Sequence, residues 1–165
     1  MKQLIVIAHN LRSTHNVGSL LRTAEGLGVK KVYLTGYTPY PHNENDDRLP
    51  HLAAKIHQQI QKTALGAEEH IDWEHREALN GVLTTLKTAG YRIAAIEQAA
   101  SAITLPHYHA PEKLALIVGR EVEGIEPEVL AQCDDILEIP MFGQKESFNV
   151  VQAAAMALYH CRFML

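Results

Sequence analysis

Short apolar runs alternate with stretches of helical periodicity along the whole chain, and this alternation limits the fold more than any other feature. QLIVIA (3–8), KKVYLTG (30–36), HIDW (70–73), YRIAAIE (91–97), LALIVG (114–119) and ILEIP (136–140) have strand length. Between them, Val17, Leu20, Leu21, Ala24 and Leu27 recur at helical spacing, and helices are expected over 51–63, 76–89 and from Asn149 to Phe163. Asn16 is a candidate N-cap, and Gly28 and Gly90 are stop signals. Continuous apolar strands separated by helices predict a mainly parallel sheet covered on both faces. With 165 residues and no repeat or linker, one domain is expected.

Such sheets bind ligands beyond the carboxyl ends of their strands. That rule selects the loops after Ala8, Gly119 and Ile139, which carry the polar residues hardest to assign to packing. In the first, Asn16, Gly18, Ser19 and Arg22 stand at a strand-to-helix junction, where backbone N–H groups and a forked guanidinium suit an anion. A capping Asn, a tight-turn Gly and an exposed helical Arg explain them equally. The segment lacks both common Gly-rich phosphate-loop spacings. In the second, Gly119 precedes Glu121, Glu123 and Gly124. Glu121 could serve a ribose hydroxyl, a cation or Arg22, or be a favourable acid at a helix start. In the third, IPMFGQKESFNV (139–150), the apolar Ile139, Met141 and Phe142 could enclose an adenine. Ser147 and Asn149 could hold a hydroxyl, or simply cap the last helix.

Charge narrows the partners. The net charge is −4, yet residues 1–40 hold Lys2, Arg12, Arg22, Lys30 and Lys31 against Glu25 alone, so cations gather where a phosphate could be met. No apolar run approaches a membrane span, and the N-terminus reads as a strand and not a leader. Cys133 and Cys161 have no metal-type spacing, so a reducing cytoplasm is expected. His107 and His109 form an H-x-H pair without a recognisable third ligand, so no metal is expected.

In order and spacing, the three constellations resemble the three motifs of the SpoU (TrmH-type) branch of the SPOUT RNA methyltransferases. Asn16, Gly18, Ser19, Arg22, Thr23 and Ala24 match the first, and Gly119, Glu121 and Gly124 the second. Ile139, Pro140, Met141, Gly143, Ser147, Asn149 and Val150 match the third. ALGAE (64–68) is similar to the family's Gly-Ala-Glu segment. The resemblance implies an α/β knot with a C-terminal deep trefoil. It implies S-adenosylmethionine as methyl donor, contacted by Ile96, Glu97, Gly119, Ile139, Met141, Ser147 and Phe148. It implies methylation of an RNA ribose 2′-hydroxyl, with Arg22 helping to remove the proton and Asn16, Glu121, Ser147 and Asn149 shaping the site.

A homodimer with the active site at its interface is also implied. The compact chain, without an N-terminal RNA-binding extension, favours transfer RNA over ribosomal RNA. RNA contact is then expected from Arg12, His15, Lys30, Lys31, Arg48, Arg120 and the loop over 37–50. The sequence departs from the family at Arg120, where Asn or Pro is usual, and at Phe148, where Leu is usual. An arginine is a poor base on its own, so Arg22 either acts with RNA phosphate or stabilises a developing alkoxide. A non-catalytic RNA-binding or donor-sensing relative is the alternative of another class.

Overall fold

The computed structural model describes residues 1–164. Seven strands form one sheet: β1 (Gln3–His9), β2 (Lys31–Thr35), β3 (Trp73–Arg76), β4 (Arg92–Ile96), β5 (Ile103–Thr104), β6 (Lys113–Val118) and β7 (Asp135–Glu138). Their order is β3-β2-β1-β6-β4-β7-β5, and every pairing is parallel. Five helices accompany them: α1 (Thr14–Gly26), α2 (Pro50–Ala64), α3 (Leu79–Thr88), α4 (Pro127–Leu130) and α5 (Val150–Phe163). Among the described residues no helix is long and apolar enough to cross a membrane.

The central strands are buried on both sides because both faces carry helices. Leu4, Val6, Ala8, Leu114, Leu116 and Val118 face α1 and α5. The alternate residues Ile5, Ile7, Ala115 and Ile117 pack with Leu79, Val82, Leu83 and Leu86 of α3. This two-residue alternation follows from the strand pleat. Strands β1 and β6 are neighbours in register, Leu4 opposite Leu114 through Ala8 opposite Val118. The chain leaves β1 outward to β2 and β3, then returns to β4, β6 and β7 on the other side. The loops after β1, β6, β4 and β7 therefore meet at one end of the sheet, where a parallel sheet places ligands.

Three expectations are corrected. The third strand lies at Trp73–Arg76, not 70–73, because the 3₁₀ turn at Ala67–Glu69 continues into the Ile71 N–H bond to Ala67. Its polar Glu74, His75 and Arg76 are tolerated on an edge strand, where Glu74 pairs with Lys31 of β2 at 2.9 Å. The third helix starts at Leu79, not 76. Ser13, not Asn16, is the N-cap of α1, and its hydroxyl accepts from the Asn16 N–H. The two-residue edge strand β5 and the one-turn α4 carry too little periodicity to be read in sequence. Both cysteines are free thiols, and burial pushes each up to about 11.

Candidate active site

The loop after β6 folds back on itself. Gly124, at φ +71°, returns its N–H to the Arg120 carbonyl at 3.1 Å. A side chain at Gly124 would run into the Glu97 carboxylate, so the glycine is required by both its backbone angle and its neighbour. Glu97, just after β4, accepts from the Ile125 N–H at 3.0 Å and from the Gln98 N–H at 2.9 Å. Gln98 in turn donates to the Glu146 carbonyl at 2.6 Å. Two consecutive residues thus hold the loops after β6 and β7 apart, and a cleft of about 450 Å³ opens between them. That size suits a nucleoside-sized ligand.

All seven residues expected at the methyl donor line this one cleft: Ile96, Glu97, Gly119, Ile139, Met141, Ser147 and Phe148. Val118, Leu137 and Val150 add an apolar floor. Phe142 takes no part in enclosing it. Its side chain is 98% exposed, because the loop after Met141 turns outward.

Beside the cleft, hydrogen bonds converge on Glu121. Its carboxylate accepts from the backbone N–H groups of Arg12 (3.2 Å) and Ser13 (3.1 Å) and from the side-chain amide of Asn16 (3.3 Å). Partial burial pushes its pKa up, but these donors outweigh burial and the net direction is down, so Glu121 is held as a carboxylate. Asn16 also accepts from the side-chain amide of Asn149 at 3.3 Å. Asn149 is the N-cap of α5, with its oxygen on the Val151 N–H at 2.9 Å. Ser147 lies before the helix on the cleft wall and does not cap it.

Asn16, Glu121 and Asn149 are therefore brought together, while Arg22 is not among them. It lies exposed on α1, has no hydrogen bond or ion pair among the described residues, and does not line the cleft. Gly18 has a different purpose from an anion-binding turn. It sits inside α1, and a side chain there would collide with Thr63 Oγ1 and the Ile60 carbonyl. Its role is the close approach of α1 to α2.

The expected RNA contacts divide. Arg12 is exposed beside the site, 3.0 Å from Glu123, and His15 is exposed on the first turn of α1. Arg120 lines the cleft and donates to the Gly124 carbonyl at 3.0 Å. Lys30 and Lys31 lie at the amino end of β2, the opposite end of the sheet. There Lys30 bonds Gln3 and Lys31 pairs with Glu74. Arg48 is turned inward: it bonds Asp46 and the carbonyls of Tyr40 and Pro41, and its guanidinium lies 3.6 Å over the Tyr40 ring. Residues 37–49 are thus a fastened loop. Four of its five guanidinium N–H donors are thereby engaged within this loop.

One cluster escaped sequence reading. Asn10, at φ +58°, accepts from the Tyr37 N–H at 3.1 Å and donates to Glu126 at 3.1 Å. Its amide is also 3.2 Å from His9 Nε2, and His9 Nδ1 is 2.9 Å from Thr35 Oγ1. With Nε2 accepting, His9 is neutral, and burial above all holds its pKa below the ordinary value. The only sequence signal was a polar His-Asn pair directly after a buried strand. Among the described residues no group of three or more His, Cys, Asp or Glu is placed to hold a metal.

Known proteins share this architecture. The tRNA (guanosine(18)-2′-O)-methyltransferase of Aquifex aeolicus is 28% identical over 161 residues, 98% of this chain and 69% of that enzyme. The chain spans 56% of the length of its Staphylococcus aureus relatives. An AdoMet-bound rRNA methyltransferase from Sinorhizobium meliloti superposes with a TM-score of 0.81 at 19% identity, over 99% of this chain and 57% of that one. A structure giving insights into the 2-OH methylation of C/U34 on tRNA superposes at 0.77 and 24% identity, over 97% of this chain and 94% of that one. These likenesses establish that the chain shares their fold. Residues 3–159 match the model of the SpoU rRNA Methylase family, and the chain belongs to that family.

Proposed function

We propose that this chain transfers a methyl group from S-adenosylmethionine to a ribose 2′-hydroxyl of RNA. The observation that carries the reading is the link from Glu121 through Asn16 to Asn149, which joins all three motifs beside a single cleft. The cleft fits the donor: an apolar floor for the adenine, exposed loop backbone to read its edge, and the Glu97 carboxylate at the rim. When bound, S-adenosylmethionine supplies an electrophilic methyl on a sulfonium. Its methyl would pass to the ribose oxygen, with S-adenosylhomocysteine as the leaving group and the hydroxyl proton released to solvent. Alignment is a large share of such catalysis. Asn16, Glu121, Ser147 and Asn149 orient the ribose, and Arg22 stabilises the developing alkoxide.

Arg22 does not line the cleft of its own chain, which fits a site shared between two copies. The second copy has an apolar face to meet. Tyr159 and Phe163 of α5 are exposed with ring centroids 4.8 Å apart, beside a groove formed by Leu105, Pro106, Tyr108, Met156 and Met164. A homodimer is the assembly this supports. The trefoil implied by the family would cross where Gln98 meets the loop after β7. Free thiols agree with a reducing cytoplasm.

Transfer RNA is favoured over ribosomal RNA by the Aquifex relative, a tRNA 2′-O-methyltransferase. The test is tritium transfer from labelled S-adenosylmethionine to unmodified transfer RNA and ribosomal RNA, with wild type and Arg22→Ala. Transfer to tRNA that is lost in a folded Arg22→Ala supports the proposal. Transfer to ribosomal RNA alone would reassign the substrate. No transfer to either, with RNA still bound, would indicate a binding protein.

A further inference from the structure

The backbone that carries Arg12 and Ser13 is fastened to the cleft wall at two points. One is Glu121, already placed in the site. The other is the Asn10–Glu126 hydrogen bond of 3.1 Å, across 116 residues of sequence. Glu126 directly follows the segment 119–125 that forms the cleft wall, and Arg120 of that wall stands 3.6 Å from its carboxylate. The remaining acceptor of the Asn10 side chain holds the Tyr37 N–H, so one amide joins the loops after β1, β2 and β6.

This junction is locally unfavourable. Asn10 takes the left-handed φ of +58°, uncommon outside glycine though Asn adopts it most readily, and among the described residues Glu126 Oε2 is buried without a hydrogen-bond partner, 3.7 Å from His9 Nε2. Such features persist where the surroundings or the function over-determine them. A purely structural tie between the loops could be made by apolar contact at no such cost. Without the Asn10–Glu126 tie, residues 10–13 remain anchored to the loop after β2 through the Asn10 N–H on Thr35 and the Leu11 N–H on Thr38 Oγ1, and reach the loop after β6 only through Glu121 and the exposed Arg12–Glu123 pair. Asn16 would then shift relative to the cleft, while Glu121 and the rest of the wall stayed in place.

We propose that Asn10 and Glu126 are positioning residues for methyl transfer, holding the acceptor-side loop in register with the donor cleft. The proposal rests on the methyltransferase reading above. It concerns alignment, so it acts on turnover and not on donor affinity.

Three variants test it. Asn10→Gly removes the side chain but keeps the left-handed backbone. Glu126→Ala removes the acceptor, and Glu126→Gln retains an oxygen for Asn10. Single-turnover transfer to unmodified tRNA is measured at saturating donor, with S-adenosylhomocysteine affinity by calorimetry and the melting temperature alongside. Asn10→Gly and Glu126→Ala are expected to lose about 10- to 100-fold in turnover with product affinity held within about threefold. Glu126→Gln is expected to recover most of the rate.

Wild-type turnover in Asn10→Gly would overturn the proposal. So would a loss that falls wholly in product affinity, or a Glu126→Gln variant as slow as Glu126→Ala. Absence of transfer by the wild-type chain would instead overturn the activity reading, and this proposal with it.

Discussion

Asn149 donates its side-chain amide to the side-chain oxygen of Asn16 at 3.3 Å, although 133 residues separate them. The contact couples the N-cap of α5 to the first turn of α1. Through the other end of the Asn16 amide it reaches Glu121. Removing Asn16 breaks both links at once. Asn16→Ala is expected to slow methyl transfer about 10- to 100-fold by loosening the acceptor geometry. The fold should lose only about 1–3 kcal/mol, the scale of two hydrogen bonds. Single-turnover rates beside thermal unfolding separate the two effects.

Gly18 tests the opposite balance. A methyl group there overlaps Thr63 and the backbone of Ile60 and Ala64. Gly18→Ala should cost about 1–3 kcal/mol or more of stability by forcing α1 away from α2. Denaturant titration measures that cost. An unchanged midpoint with lost activity would show instead that the glycine serves the ligand.

The RNA surface is read from salt dependence. Arg12 is exposed beside the site, whereas Lys30 lies at the far end of the sheet. Arg12→Ala should weaken RNA binding and reduce the salt slope by about 1, while Lys30→Ala should leave both unchanged. Arg48→Ala should instead release residues 37–49, visible as faster limited proteolysis of that segment.

The pH dependence has a definite sign. The pKa of His9 is lowered from 6.5, chiefly by burial and also by Arg120, with Glu126 opposing. Below pH 6.5 the unfolded chain therefore binds the proton first. Stability is full above that pH and falls as pH drops toward the folded pKa of His9. Glu121 and Glu126, whose pKa values are lowered from 4.5, add a second loss only below that value. Urea midpoints from pH 7.5 to 5 should fall for wild type, and His9→Gln should flatten the curve.

The sheet was legible because its central strands are continuous apolar runs, and the loops after Ala8, Gly119 and Ile139 because they follow strand ends, whereas the residues expected at the cleft came from the family resemblance. What stayed hidden depends on contacts across the sequence. Glu74 looks like a loop residue until Lys31 is seen beside it at the edge of the sheet. Gly18 looks like a turn until α2 is packed against it. Ser13 and Asn16 are equally good caps in sequence, and only the demand of Glu121 for the Asn16 amide distinguishes them. The Asn10–Glu126 junction has no motif at all, since each partner is an ordinary polar residue until the loops after β1 and β6 meet.

Ribose methylation of RNA in a site that Arg22 completes is the activity proposed here. It is tested most directly by mapping 2′-O-methyl nucleotides in RNA from cells carrying the wild-type chain, the Arg22→Ala chain, or none. The predicted result is a 2′-O-methylated nucleotide in tRNA that is present with wild type and absent from the other two. A methylation map identical in all three strains, or the loss of a base methyl in place of a ribose methyl, would contradict it.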